Sequence, residues 1–530
     1  MSDRIAHSPY DTVPYPAASH SQTHPRRLAT IAAFIGLDSA DIHGARVLEL
    51  GSAEGANLIP MAFEFPEATF VGVERSVRQI EQARGRAAEL GLSNITLTQA
   101  DILDVTADLG TFDYIIVHGV YSWVPHEVRE KILAICKENL SPRGVAYVSY
   151  NTYPGWHMRG MLRDMMLYHV EQFADPNTKL QQARALVKFL ADSVSTEGNP
   201  YGIWLKQELK AMSQWQDGFL YHGPIAEVNE PCYFHQFMER ASHYGLQYLG
   251  ESEFASMVAS NFGTAVNETL SRIGKTVVAT EQYMDFVRNR IFRQTLLCHE
   301  GVELQRKLTP QIIEKFSVCS QLKSTTDTPD LASRAAVDYL VARGGKHKIT
   351  SAEPIVKAAL WWLEQQFPQA IPFGDLLEQA RRVLDTQAVQ PPDTATSHSH
   401  LLGEALLNLF AGRFVELVRY PYAVASEAGR FPRTTRLIRK QAQEGPTVSN
   451  LRHETLSLDV VTQEVTRHLD GQHDRNAILE LLVAKVDSGV LVVRDNKGQA
   501  LDGRETVRGE LAKQLDVALN ICVRGSLLVK

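Results

Sequence analysis

The chain has 530 residues, 44% of them hydrophobic and 22% charged, with a net charge of −7; these are ordinary globular values in a chain long enough for about three domains. No lysine- or arginine-rich run appears, so a nucleic-acid partner gains no electrostatic support from the bulk charge. Five cysteines (136, 232, 298, 319, 522) without C-x-x-C spacing argue against a disulfide framework or a zinc site, and no apolar run reaches the roughly 18 residues of a membrane span.

The first 16 residues are polar and proline-containing, with no apolar signal core, so a cytoplasmic protein without a metal is expected. Pro9-Tyr10 and Pro14-Tyr15-Pro16 read as an extended arm, poor as a helix. Residues 24–37 place Leu28, Ile31, Ala32 and Ile35 at helical spacing. From 45 to 150 strand and helix alternate. Strands fall near 46–50, 69–73, 95–99, 113–117 and 145–150, and helices near 56–64, 76–90 and 126–140. This is the doubly wound α/β pattern, with a ligand expected outside the carboxyl ends of the strands.

Residues 158–220 turn helical and aromatic, and 245–250 and 292–297 then read as late strands. A parallel sheet completed after a helical insertion is expected; a separate all-helical domain over 158–300 is the alternative. Further on, 354–367, 373–384 and 401–410 read as helices, and 413–419 alternates like a hairpin strand, which suggests a winged helix. The stretch 390–400 is a polar linker. A last unit holds helices over 456–469 and 475–487 and a strand at 490–493. The expected domains are 1–303, with the insertion at about 158–222 and a further segment at about 223–303, then α-rich, winged-helix-like units, a middle one at 304–425 and a C-terminal α/β one at 426–530.

Residues 46–57, Arg46-Val-Leu-Glu-Leu-Gly-Ser-Ala-Glu-Gly-Ala-Asn57, run from an apolar strand through a glycine turn into a helix. Such a turn lets backbone approach a nucleotide-like ligand where a side chain would block it. Acids follow at the ends of the next two strands, Glu74 and Asp101. Counting from Gly51, the positions that G-x-G-x-x-G needs are Ala53 and Ala56, and no G-x-x-x-x-G-K-[ST] loop exists. Glu49 and Glu54 would repel a pyrophosphate but suit a cationic amino-acid end. The reading is S-adenosylmethionine. Glu49 sets the turn or accepts from the amino group, Gly51 and Gly55 permit close contact, Glu74 accepts the ribose hydroxyls, and Asp101 accepts the adenine amine beside the Ile102 backbone. Ser52, Asn57, Arg75 and His118 complete the expected cofactor set.

These segments resemble class I S-adenosylmethionine-dependent methyltransferases. His24-Pro-Arg-Arg-Leu28, Phe112-Asp-Tyr-Ile-Ile-Val-His-Gly-Val-Tyr-Ser-Trp123, Asn151-Thr-Tyr-Pro-Gly-Trp-His157 and Phe292-Arg-Gln-Thr-Leu-Leu-Cys-His299 narrow the likeness to bacterial members with a methyltransferase regulatory domain. That group includes rickettsial lysine methyltransferases of outer-membrane proteins. The resemblance covers roughly residues 8–485. It implies a Rossmann-like, seven-stranded sheet and C-terminal winged-helix modules. The family turn usually reads Leu-Gly-Cys-Gly and here reads Leu50-Gly-Ser-Ala53; binding is expected to survive the small alanine, although its Cβ could weaken it.

Methyl transfer needs alignment and exclusion of water, so much of the effect is proximity. A lysine acceptor must also lose a proton, which costs roughly 4.6 kcal/mol at pH 7 from a reference pKa of ~10.4. A desolvated pocket and a nearby cation lower that pKa. His118, Tyr121 and Tyr153 are the candidate catalytic groups. Three roles stay open for His118: cofactor contact, proton acceptance, or satisfaction of a backbone carbonyl. Tyr121 and Trp123 could equally be pocket wall or core. Tyr153, Trp156 and His157 could simply pack at a helix start, and Tyr10 and Tyr15 could fold over the site as a lid. Base methyltransferases commonly carry Asn/Asp-Pro-Pro-Tyr/Phe after the fourth strand, where this chain reads Val117-His-Gly-Val-Tyr121. The resemblance favours a protein lysine acceptor, with a homodimer possible and no nucleic acid or membrane partner. A small-molecule methyltransferase and a cofactor-binding scaffold without turnover are the rivals.

Overall fold

The computed structural model describes residues 9–16, 18–341, 348–385, 395–494, 500–501 and 503–530. They form two compact units. The first takes the described residues up to Ala18 and Ile35–Leu304, the second Ser19–Phe34 and the described residues from Gln305 to Lys530.

In the first unit, a helical turn Pro9–Thr12 (α1) replaces part of the extended arm, while residues 1–8 and 17 of that arm lie outside the described residues. Seven strands follow: β1 (Arg46–Leu50), β2 (Thr69–Glu74), β3 (Ile95–Gln99), β4 (Phe112–Val117), β5 (Leu140–Asn151), β6 (Leu246–Glu251) and β7 (Phe292–His299). Their spatial order is β3-β2-β1-β4-β5-β7-β6. Pairing is parallel from β3 to β5, but β7 is antiparallel to both β5 and β6. The sheet is therefore mixed where an all-parallel one was expected. The expected hydrophobic runs do not report strand direction, because strands covered on both faces read alike whichever way they point.

Strand order reverses at β1, which lies between β2 and β4; crevices for ligands open at such switch points. One face of the sheet carries Leu48, Leu50, Val71, Val73, Ile115, Val117, Ala146, Val148 and Tyr150 into a core with Ile132, Leu133 and Phe237. The period of two puts the intervening residues, Glu49, Glu74 and His118 among them, on the other face.

In chain order the helices are α2 (Pro25–Phe34), α3 (Leu58–Glu64), α4 (Val77–Glu89), α5 (His126–Glu138), α6 (Trp156–Val170), α7 (Pro176–Ser193), α8 (Pro200–Met212), α9 (Asp217–His222), α10 (Phe234–His243), α11 (Thr264–Ile273) and α12 (Val277–Arg288). Helices α6 to α9 are the insertion and share their own core of Leu162, Met166, Ala183, Val187, Leu205 and Leu220. The late strands β6 and β7 join the main sheet, so 158–300 is no separate helical domain. Fully buried Arg293 fastens β7: its guanidinium reaches Glu251 at 2.7 Å, Asp285 at 2.7 Å and Glu281 at 3.0 Å. Arg290 joins the same network through Glu251 at 2.7 Å.

Helix α2 lies in the second unit, although it precedes β1 in the chain. Its Arg26 guanidinium donates to the Tyr420 and Pro421 carbonyls, and Phe34 packs edge-on to Phe410 at 5.3 Å. Val415–Val418 does not form a hairpin; it pairs antiparallel with Ser317–Ser320, about a hundred residues earlier. A strand pair distant in sequence leaves no turn signal. Residues 395–400 of the expected linker begin the helix Ala395–Ala411, and 390–394 lie outside the described residues. The expected helix 456–469 resolves into the strand Thr455–Ser457 and the helix Val460–Arg467, with Asp459 as N-cap. Residues 490–493 form no strand. Four helices, Arg436–Glu444, Val460–Arg467, Arg475–Asp487 and Arg504–Arg524, share a core of Ile438, Val465, Ile478, Leu482, Leu511 and Leu515. No helix among the described residues is long and apolar enough to cross a membrane.

Candidate active site

The register of the sheet assembles the site. Glu49 of β1 pairs with Gly72 of β2 and Ile116 of β4, and Ile116 with Tyr147 of β5. Two residues further along each strand, that row becomes Gly51, Glu74, His118 and Ser149, which stand level at the carboxyl ends. A parallel sheet spaces neighbours by about 4.8 Å, so the row spans roughly 14 Å.

The turn after β1 is tight. Gly51 has φ +77°, and a Cβ there would meet Val120 Cγ2 at 2.7 Å. Gly55, at φ +76°, would drive a Cβ to 2.8 Å from Ile59 Cδ1. Ala53 adopts φ +46° despite its Cβ, and its N–H donates to Glu74 Oε2 at 2.9 Å. Glu74 Oε1 accepts the Ser76 N–H at 2.8 Å. Burial raises the Glu74 pKa against the pull of these N–H groups.

Glu49 is 4% exposed. Its Oε1 accepts from Asn57 Nδ2 at 2.6 Å, which diverts Asn57 from capping α3. Its Oε2 is buried without a hydrogen-bond partner, as is the Ser52 hydroxyl. Burial, opposed by Asn57 and aided by Glu74, pushes the Glu49 carboxyl up to about 7. Glu54, by contrast, is engaged by Arg86 at 3.0 Å. Asp101 accepts the Leu103 N–H at 3.0 Å, and its other oxygen stands 3.7 Å from Arg75 Nε. Ile102 opens the following 3-10 turn, half-buried. The Ala100 N–H bonds the Glu74 carbonyl at 3.0 Å, which keeps the two strand-end acids together.

The arm does reach this edge. Asp11 Oδ1 accepts from Ser76 Oγ at 2.5 Å, and Tyr10 stacks on His222 of α9 with ring centroids 3.9 Å apart. Burial, with Glu74 and Tyr15 adding, pushes the Tyr10 hydroxyl up to about 12.

On the β4–β5 side, His118 Nδ1 lies 3.0 Å from the Tyr147 hydroxyl and 3.3 Å from Ser149 Oγ. Ser149 Oγ also accepts the Gly119 N–H at 2.8 Å. Tyr121 does not join them. It is fully buried between Tyr150 and Phe237, with Arg240 beside its hydroxyl, so it is core and has no surface to offer a substrate. The chain turns inward as β4 ends, and nothing local in the sequence announces that. Trp123 packs edge-on against Trp156 at 5.9 Å. Tyr153 is partly exposed and stacks on His157 at 4.0 Å, with Tyr233 at 5.3 Å; burial raises its pKa. Sequence reasoning passed over Tyr147 and Ser149, which the structure brings to His118, although their i, i+2 spacing along β5 is visible. Asn229, whose Oδ1 accepts from Asn151 Nδ2 at 2.9 Å, gives no local signal in the sequence.

Adenosylmethionine fits what is present. A buried, partnerless carboxylate oxygen at Glu49 suits a cationic amino group, and Glu74 and Asp101 keep acceptor lone pairs at adjacent strand ends. Among the described residues no cluster of His, Cys, Asp and Glu could hold a metal ion.

Comparison with known proteins gives the same picture. Family models match at residues 42–217 (methyltransferase domain), 216–299 (predicted methyltransferase regulatory domain) and 431–527 (PKMT, C-terminal winged helix domain). An uncharacterized protein of Rickettsia prowazekii (strain Madrid E) is 34% identical over 99% of this chain and 94% of its own length. A second from the same strain is 40% identical over 44% of this chain and 93% of its own. The structure of PKMT2 from Rickettsia typhi in complex with AdoHcy matches with a TM-score of 0.89 and 30% identity, covering 98% of this chain and 100% of that one. With the cofactor crevice, the regulatory segment and the C-terminal module all accounted for, the chain belongs to the S-adenosylmethionine-dependent methyltransferases that carry a methyltransferase regulatory domain and a PKMT-type winged helix.

Proposed function

We propose that this enzyme transfers methyl groups to lysine ε-amines of a protein substrate. The observation that carries the reading is the row of acids and polar groups at the sheet's carboxyl edge, in a chain that aligns along its whole length with a PKMT structure. Bound S-adenosylmethionine supplies an electrophilic methyl on a cationic sulfur. Glu49 would hold its amino group, Glu74 its ribose hydroxyls, and Asp101 with the Ile102 N–H its adenine; Gly51, Ser52, Gly55, Asn57 and Arg75 would shape the crevice around it.

The acceptor nitrogen needs its lone pair. It forms the new N–C bond while the C–S bond breaks with both electrons left on sulfur, and a proton departs from nitrogen. His118, oriented by Tyr147 and Ser149, stands at the end of β4 to contact the reacting centre. Tyr153 supplies an aromatic wall on the approach. Water exclusion falls to the arm, where Tyr10 and Asp11 already close the Glu74 end.

Incubating the enzyme with methyl-labelled cofactor and a bacterial lysate tests the reading. Label recovered as methyl-lysine after protein hydrolysis is the expected result. Label confined to acid-soluble small molecules, or cofactor binding with no transfer, would replace the lysine acceptor with one of the rival readings.

A further inference from the structure

We infer that Asn151, braced by Asn229 of the regulatory domain, is the group that receives the acceptor amine; this rests on the lysine reading above. Asn151 is the last residue of β5 and lies two positions beyond Ser149, on the strand face that carries Tyr147 and Ser149 to His118. Opposite it on β7 is Phe292, whose ring stands edge-on to His118 with centroids 6.2 Å apart. Asn151 is thus the next polar group outward from His118 along the carboxyl edge.

Its own hydrogen bonds leave one atom over. The Asn151 N–H donates to Ser122 Oγ at 2.9 Å, and its carbonyl accepts the Cys232 N–H at 3.2 Å. The side-chain Nδ2 donates to Asn229 Oδ1 at 2.9 Å. That bond orients the amide, and Asn151 Oδ1, on its other edge, takes no hydrogen bond from any described residue. The residue is 5% exposed, and that exposure includes Oδ1, so this acceptor is open to a donor from outside the chain.

The chemistry of that atom suits a neutral amine. An amide oxygen accepts an amine N–H and orients the lone pair, but it carries no full charge to hold the ammonium form. A carboxylate in its place would favour the cation and oppose proton loss. The charged and titratable groups about Asn151 fit this. Glu230, next to Asn229, is ion-paired with buried Arg129; Cys232, bonded to the Asn151 carbonyl, has its thiol pushed up to about 12 by burial; and Tyr147, Tyr153 and His118 are further titratable groups at this edge. The brace comes from the 216–299 segment matched as a regulatory domain. Its stretch 229–232 is pinned across the ends of β4 and β5 by the Glu230 N–H to the Ser122 carbonyl at 2.8 Å and by the Cys232 bridge to Thr152. That domain contributes directly to the acceptor half of the site.

The test uses the full chain, labelled cofactor and whole lysate protein as acceptor, with methyl-lysine formation followed against pH and AdoHcy affinity measured by calorimetry. Asn151→Ala should lower the methyl-lysine rate at least tenfold with AdoHcy affinity unchanged, and Asn229→Ala should lower it less. Asn151→Asp, nearly isosteric and so expected to fold, should displace the pH–rate profile upward by about one unit or more, a change that a merely structural residue would not produce. Wild-type rate and pH profile in both Asn151 variants would overturn the assignment while leaving the lysine reading intact. A wild-type enzyme that binds AdoHcy but forms no methyl-lysine would overturn the lysine reading, and Asn151's role with it.

Discussion

The Glu49 carboxylate accepts a hydrogen bond from the Asn57 amide at 2.6 Å through one oxygen, while the other oxygen is buried and meets no donor. Burial, with Glu74 adding and the Asn57 bond opposing, holds the acid up to about 7 from a usual 4.5. A folded pKa above the unfolded one means that the protonated form stabilises the fold. That stability is fully present below about 4.5 and is lost as pH rises through about 7, a loss on the order of 3 kcal/mol. Glu49→Gln should remove this part of the pH dependence, so that the cofactor-free variant melts higher than the parent at pH 8 and no higher at pH 4. It should also weaken cofactor binding, since a hydrogen bond to a charged group contributes ~1.5–3 kcal/mol. Melting curves across pH, paired with calorimetry, check both halves.

Glu74→Ala and Asp101→Ala should each weaken cofactor binding by roughly 1–3 kcal/mol. Glu74→Ala should also lower stability, because it strands the Ala53 and Ser76 N–H groups. Calorimetric affinities equal to wild type in both variants would move the ribose and adenine out of this crevice.

Ala53 stands at φ +46°, where an L residue is strained by about 1–2 kcal/mol. Ala53→Gly relieves that strain and gives back roughly 0.5–1 kcal/mol in the unfolded chain's entropy. A small net gain in melting temperature is expected, with cofactor affinity equal or tighter. A drop in melting temperature would show that the alanine is accommodated without strain.

Tyr121→Phe should leave turnover within about twofold, since the hydroxyl is enclosed in the core, and should change stability by no more than ~1 kcal/mol. His118→Ala should lower turnover about tenfold or more, within the range for a positioned acid–base group. Steady-state rates of the pair separate a core tyrosine from a residue at the reacting centre.

Arg293→Met would leave Glu251, Glu281 and Asp285 buried around a missing cation. Breaking such a network costs about 3–5 kcal/mol. Denaturant midpoints measure it; a shift under 1 kcal/mol would mean that the three acids take up protons at little expense.

The groups proposed to hold the cofactor were visible in the sequence because each of them is local. A glycine turn between an apolar strand and a helix, and an acid directly after each of two apolar strands, place Glu49, Gly51, Glu74 and Asp101 within short stretches of chain. Parallel neighbours then bring those strand ends together of necessity. The acceptor half was less so. Tyr121 and His118 sit three residues apart with similar promise, yet one turns into the core and the other toward Ser149.

What the sequence determined by itself, then, is whatever depends on neighbours a few residues away: the strands of the doubly wound sheet, the turn geometry, the chemistry of the strand-end acids. Tertiary structure alone decided the antiparallel course of β7, the departure of α2 to the second unit, the pairing of 415–418 with 317–320, and the meeting of Asn151 with Asn229 across 78 residues. The physical reason is that periodicity encodes which face of an element is buried, whereas direction and partner are chosen by the packing of the whole chain.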